Sequence, residues 1–313
     1  MVRIMSFDRL QKKIDEMRNP TVVGLDPALE HIPPDILRKH VTEKGESLEA
    51  AAAAVVEFNM GLIDSLCDIV PAVKPQSAYY EALGPDGALA LKATCDYARS
   101  KGMYVIIDAK RNDIGSTAEA YSSAYLGAVT VGGAEFRPYD ADALTVNAYL
   151  GSDGIQPFID AAVKYDKALF ALVKTSNPSA CELQDMLIAG AGDAGAPRTV
   201  YAAVGDLLES ISHHTIGEYG YSRVGAVVGA TYPEEIEYLR ARLHHTFFLI
   251  PGYGAQGGSA ADVARAFDEN GRGAVVNSSR AIIAAWKKTG SDYKESARLE
   301  ALRMRDELQS AIL

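Results

Sequence analysis

One stretch of this chain concentrates groups that could do chemistry: Asp108-Ala109-Lys110-Arg111-Asn112-Asp113-Ile114-Gly115. It follows the apolar run Met103-Tyr104-Val105-Ile106-Ile107, whose β-branched residues predict a buried strand. Asp108 and Lys110 are two apart, so on a strand they share a face. A carboxylate then stands beside an ammonium at the strand's end, and Asp113 adds a second carboxylate in the turn. Charged groups are rarely buried without partners, so this density predicts chemistry. Schiff-base chemistry on Lys110 is the weaker reading, because two flanking carboxylates would keep the amine protonated and a poor nucleophile.

Such a set needs a rigid frame. Short β-branched runs alternate with longer amphipathic stretches along the whole chain. Strands are expected at 21–25, 70–74, 103–108, 143–146, 168–173, 223–228, 246–250 and 273–277. Helices are expected between them, among them 48–69, 88–100, 200–212, 234–243 and 260–267. About eight strand–helix units predict a single (β/α)8 TIM barrel over 1–313, with a doubly wound open sheet as the alternative. Insertions are expected after strand one, and after strand five around 180–196, with a terminal helix over 292–312.

In a barrel, functional groups gather where strands give way to their following loops. Those ends read Asp26-Pro27, Lys74-Pro75-Gln76, Asp108 with Lys110, Thr145-Val146-Asn147, Lys174-Thr175-Ser176-Asn177, Gly229-Ala230-Thr231, Pro251-Gly252-Tyr253-Gly254-Ala255-Gln256-Gly257-Gly258 and Asn277-Ser278-Ser279-Arg280. Taken singly, Asp26 could be a turn residue and Lys74 could reach solvent. Recurrence at one end of nearly every strand favours a shared pocket. The stretch from Gly252 to Gly257 matches GxGxxG, but no acid follows at the next strand's end, as dinucleotide binding would require. A phosphate cradle, with Arg280 supplying charge, fits the loops after strands seven and eight better.

With 48% hydrophobic residues and a net charge of −10, the chain can build a large core and is a poor partner for nucleic acid or an anionic membrane. Cys67, Cys95 and Cys181 are scattered and read as reduced, mostly buried thiols of a cytoplasmic protein. His31, His40, His213-His214 and His244-His245 lack metal-ligand spacing and read as surface residues. No metal site is expected. Neither a signal peptide nor a membrane span is evident.

The wording Val73-Lys74-Pro75-Gln76, Asp108 to Thr117, Lys174-Thr175-Ser176-Asn177-Pro178-Ser179 and Pro251 to Gly258 resembles the orotidine 5′-phosphate decarboxylase family, in its longer bacterial-type subfamily. The Mg²⁺-dependent sugar-phosphate lyases of the same superfamily share the DxKxxD stretch. They carry an acid near the end of strand two, where this chain has Lys74, and a lysine there removes a ligand Mg²⁺ would want. A non-catalytic phosphosugar or nucleotide binder would have no need of the full Asp-Lys-Asp set. The resemblance implies cofactor-free decarboxylation of orotidine 5′-monophosphate to UMP and CO2, the last step of de novo pyrimidine synthesis. It implies that Lys110 stabilises the C6 carbanion and protonates it, within a charge network of Lys74, Asp108 and Asp113. It implies a homodimer in which Asp113 and Thr117 reach the neighbouring subunit's site. Asp26 would bind ribose hydroxyls, Ser176 and Asn177 the pyrimidine, and Gln256 and Arg280 the phosphate, with Pro251 also against the substrate. Loop closure over the phosphate would use Gly252 to Gly258.

Overall fold

The computed structural model describes residues 5–190, 195–254 and 257–312. Eight strands close into a parallel barrel: β1 (Thr21–Leu25), β2 (Ala72–Pro75), β3 (Tyr104–Arg111), β4 (Ala143–Val146), β5 (Ala168–Lys174), β6 (Val224–Val228), β7 (Phe248–Ile250) and β8 (Ala274–Ser278). Each pairs with its neighbour in sequence, and β8 returns to β1 with Val22 opposite Asn277. The open sheet is thereby set aside.

The strands read as continuous apolar runs because both their faces are buried. Val23, Val105, Ile107 and Leu144 face the helical shell. Val22, Ala72, Ile106, Ala143, Phe170 and Val275 face the barrel axis. An amphipathic helix, Ser6–Met17, plugs the end of the barrel where the strands begin. Its Phe7 ring lies 4.9 Å from the rings of both Phe170 and Phe247.

The same alternation sets the layer near the strands' carboxyl ends. On β2, β3, β4 and β8 the axis-facing positions of that layer are Lys74, Asp108, Thr145 and Asn277. On β5, β6 and β7 they are Leu172, Val227 and Leu249. The barrel mouth is polar on one side and apolar on the other.

The insertion after β1 carries a 3₁₀ turn, Leu29–His31, and a helix, Pro34–Lys44. The insertion after β5 is more ordered than a plain surface loop: Leu187–Ile188 pairs antiparallel with Arg198–Thr199, while 191–194 lie outside the described residues. A second hairpin, Val129–Val131 with Ala134–Phe136, goes unread in the sequence although Gly132 and Gly133, both at positive φ, form a common hairpin signal. The terminal helix runs Tyr293–Ile312. Only Cys95 of the three thiols is buried; Cys181 is exposed on the 178–182 turn of the β5 insertion. Among the described residues no helix is long and apolar enough to cross a membrane.

Candidate active site

Asp108 is the centre of the polar half of the mouth. Its Oδ2 accepts from Lys74 Nζ at 2.8 Å and Gln76 Nε2 at 3.0 Å. Its Oδ1 accepts from Lys110 Nζ at 2.6 Å and Thr145 Oγ1 at 2.8 Å. Four donors from three strand ends thus fill one carboxylate. Burial disfavours the ionised form, but the two lysines outweigh it and hold the Asp108 carboxyl well below the usual carboxylate range. Burial likewise pulls Lys74 down, yet Asp108 and Asp26 together leave it above its ordinary value.

The two lysines differ in access. The Lys74 side chain is 5% exposed, that of Lys110 44%. Lys74 is a fixed charge in the wall, whereas Lys110 can meet a bound molecule. Strand regularity does not deliver Lys110. It adopts φ +50°, a left-handed conformation costly for a side chain with a Cβ, and the β3–β4 register shifts between Ile107 and Arg111. Thr145 holds this bend, since its hydroxyl accepts the Lys110 N–H at 3.0 Å while donating to Asp108.

Two cavities flank the cluster and share Lys74, Asp108 and Pro251 as walls. One, of about 210 Å³, is lined by Asp26, His31, Gln76, Tyr253, Asn277, Ser279 and Arg280 among others. The other, of about 390 Å³, has Leu172, Val227 and Leu249 as its floor and Lys110, Thr175, Ser176, Asn177 and Gln184 around it. A polar, cation-rimmed chamber thus adjoins an apolar-floored one, with Lys110 at the second. Two glycines allow the walls to close this tightly. A Cβ on Gly24 would lie 1.8 Å from Ser279 Oγ, and one on Gly229 would lie 2.8 Å from the Ser176 nitrogen.

A model of the Orotidine 5′-phosphate decarboxylase / HUMPS family matches residues 22–291. The chain belongs to this family. A protein of Rhodopirellula baltica named orotidine 5′-phosphate decarboxylase is 43% identical over 296 residues, covering 92% of this chain and 94% of the relative. One of Clostridium perfringens with the same name is 39% identical over 311 residues, 99% of this chain and all of the relative. The solved Leishmania donovani OMP decarboxylase matches with a TM-score of 0.73 at 30% identity, covering 98% of this chain and 99% of that one.

The residues expected from the family resemblance fall into three groups. Lys74, Asp108 and Lys110 form one bonded cluster, with Asp26, Ser176, Asn177, Pro251 and Arg280 around its two cavities. Asp113 and Thr117 stand apart from that cluster within one chain. Asp113 caps its own turn by accepting the Ile114 N–H at 2.8 Å, and Thr117 is exposed. Within one chain the bonded network joins Lys74, Asp108 and Lys110, and Asp113 is not part of it. Gln256 lies outside the described residues, as does part of the glycine loop.

Three residues escaped the sequence reading. Gln76 and Thr145 were visible only as polar strand ends, and short polar side chains there are common. His31, expected at the surface, is buried and lines the smaller cavity, because the Trp286 indole donates to its carbonyl at 2.9 Å and pins the insertion inward. Among the described residues, no three His, Cys, Asp or Glu side chains gather as a metal-binding group.

Proposed function

We propose that this decarboxylase-family chain converts orotidine 5′-monophosphate to UMP and CO2, with Lys110 as the proton donor. The observation that carries the reading is Asp108 gripped by one buried and one accessible lysine between the two cavities. The phosphoribosyl group occupies the cation-rimmed chamber, with phosphate toward Arg280 and ribose hydroxyls toward Asp26. The pyrimidine lies over the apolar floor beneath Ser176 and Asn177. C6 then faces Lys110, and its carboxylate lies near Asp108. As the C6–carboxylate bond breaks, its electron pair stays on C6 and CO2 departs. The Lys110 ammonium stabilises that pair and gives it a proton. Lys74 and Thr145 keep Asp108 fixed, so little reorganisation accompanies the step. Grip on the remote phosphate supplies binding energy for the reacting carbon.

The working unit in this proposal is a homodimer. Asp113 and Thr117 flank Ile114, which is 56% exposed, and the exposed Tyr149 and Leu150 lie on the next strand's loop at the same mouth. Apolar side chains around polar groups that make no bond to their own chain's Lys74–Asp108–Lys110 cluster suit a symmetric contact that carries Asp113 to the partner's cleft.

The test follows loss of orotidine 5′-monophosphate absorbance in EDTA, for the native protein and Lys110→Ala. Turnover in EDTA that the substitution abolishes is expected. Folded protein without turnover, or turnover that EDTA abolishes, would overturn the proposal.

A further inference from the structure

Lys174 has no part in the charge cluster, yet it is one of the most deeply buried cations in the chain, 1% exposed at the end of β5. Its Nζ pairs with Asp185 across the loop that leaves the strand. The rings of Tyr201 and Tyr232 lie 5.2 and 4.8 Å away from it. Tyr201 belongs to the helix that follows the loop, and Tyr232 to the loop after β6. A second tie stands one residue further along. The Thr175 N–H donates to Gln184 Oε1 at 2.9 Å, and Gln184 Nε2 donates back to Thr175 Oγ1 at 2.7 Å. That hydroxyl in turn donates to Asn177 Oδ1 at 2.7 Å. Residues 174 and 185, then 175 and 184, thus close the loop's neck like two rungs of a ladder built from side chains.

We propose that Lys174 is a positioning residue for the base end of the cleft. With Asp185 it shuts the 175–184 loop before substrate arrives, so that Thr175, Ser176 and Asn177 already stand around the cavity that contains Lys110. Neither Lys174 nor Asp185 lines that cavity, so both act through the loop. An ion pair that buries one of its charges is a weak route to stability, since apolar side chains of like volume usually serve as well. Its distinctive contribution is a fixed geometry, and a loop closed in advance does not draw its ordering cost from binding.

The inference rests on the functional reading above, and the test separates the two. Binding of UMP and of ribose 5-phosphate, which lacks the base, is measured by calorimetry for the native protein and Lys174→Met. UMP is expected to weaken about tenfold or more, with ribose 5-phosphate held within about twofold and KM for orotidine 5′-monophosphate rising alongside. Asp185→Asn, at a half-buried site, should show the same selective loss and carries the test if Lys174→Met does not fold. A general structural role would weaken both ligands together, and that result overturns the proposal, as does unchanged UMP affinity. Native protein that neither binds UMP nor turns over substrate would instead defeat the functional reading, and this inference with it.

Discussion

Thr145→Val puts the strained lysine to the sharpest test. Thr145 is 1% exposed, and its hydroxyl donates to Asp108 at 2.8 Å and accepts the Lys110 N–H at 3.0 Å. Valine keeps the shape and removes both bonds. Losing a hydrogen bond to a charged group costs roughly 1.5–3 kcal/mol, and an orphaned buried donor costs about 1–3 kcal/mol. Asp108 retains three other donors, which offsets part of the first term. The Lys110 N–H has no such reserve, and its left-handed backbone loses the bond that holds it. A net loss of about 2 kcal/mol in the transition state is expected, which is roughly a 30-fold fall in kcat. KM should change by less than about threefold, because the phosphate and ribose contacts are untouched. The assay is steady-state decarboxylation with a thermal melt of the same sample. A folded variant with kcat within about twofold of the native value would refute the claim that Thr145 sets the Lys110 geometry.

Other consequences follow from the same structure. Arg280→Ala should raise KM about 10- to 100-fold, the worth of a charge-assisted contact to phosphate, and adding phosphite to a phosphate-free substrate analogue should no longer stimulate the variant. Lys110→Ala and Asp113→Ala should each be nearly inactive alone, but mixing and reassociating them should restore roughly a quarter of native activity, the statistical share of intact sites in a symmetric dimer; no gain on mixing would refute the shared site. Acid should expose the Asp108 linkage. Its carboxyl is held below the ordinary value of 3.8, so the stability it contributes is complete above that pH and is lost as pH falls toward the depressed value. The difference in melting temperature between native protein and Asp108→Asn should therefore stay level from about pH 5 to 8 and change progressively below about pH 4; a difference that does not vary with acid would contradict the depressed carboxyl.

The frame of this protein was legible because both of its signals are local. Runs such as Tyr104 to Ile107 and Ala168 to Val173 read as strands buried on two faces, and their regular recurrence between amphipathic helices favours a barrel over the doubly wound sheet. Strand-end polarity singles out Lys74, Asp108 and Arg280, whose charges stand out against apolar neighbours and which line one cavity. The same signal includes Thr145 and Gln76 but does not set them apart, since a threonine or glutamine after a strand is ordinary. What distinguishes them is a bond to a carboxylate on another strand, a property of register and not of composition. His31 was hidden for a related reason: its burial depends on Trp286, some 255 residues away in the chain.

The place where strand alternation fails is also the place where the chemistry is proposed. Regular pleating would put Asp108 and Lys110 on one face, as the spacing suggests. The chain reaches that pairing by a different route, through a shifted register and a left-handed lysine. A straight β3 would carry Lys110 along the strand, whereas the bend turns its amine back onto Asp108 and leaves it half-exposed at the cavity. Holding a residue in that conformation costs on the order of 1–2 kcal/mol. The cost is met by the Thr145 hydroxyl on the neighbouring strand and by the pull of the Asp108 carboxylate two residues back on β3, both held in a rigid barrel. Sequence rules describe the relaxed backbone, so an electrostatic site built on strain is found through the charges that it gathers, while the residues that sustain the strain emerge only from the fold.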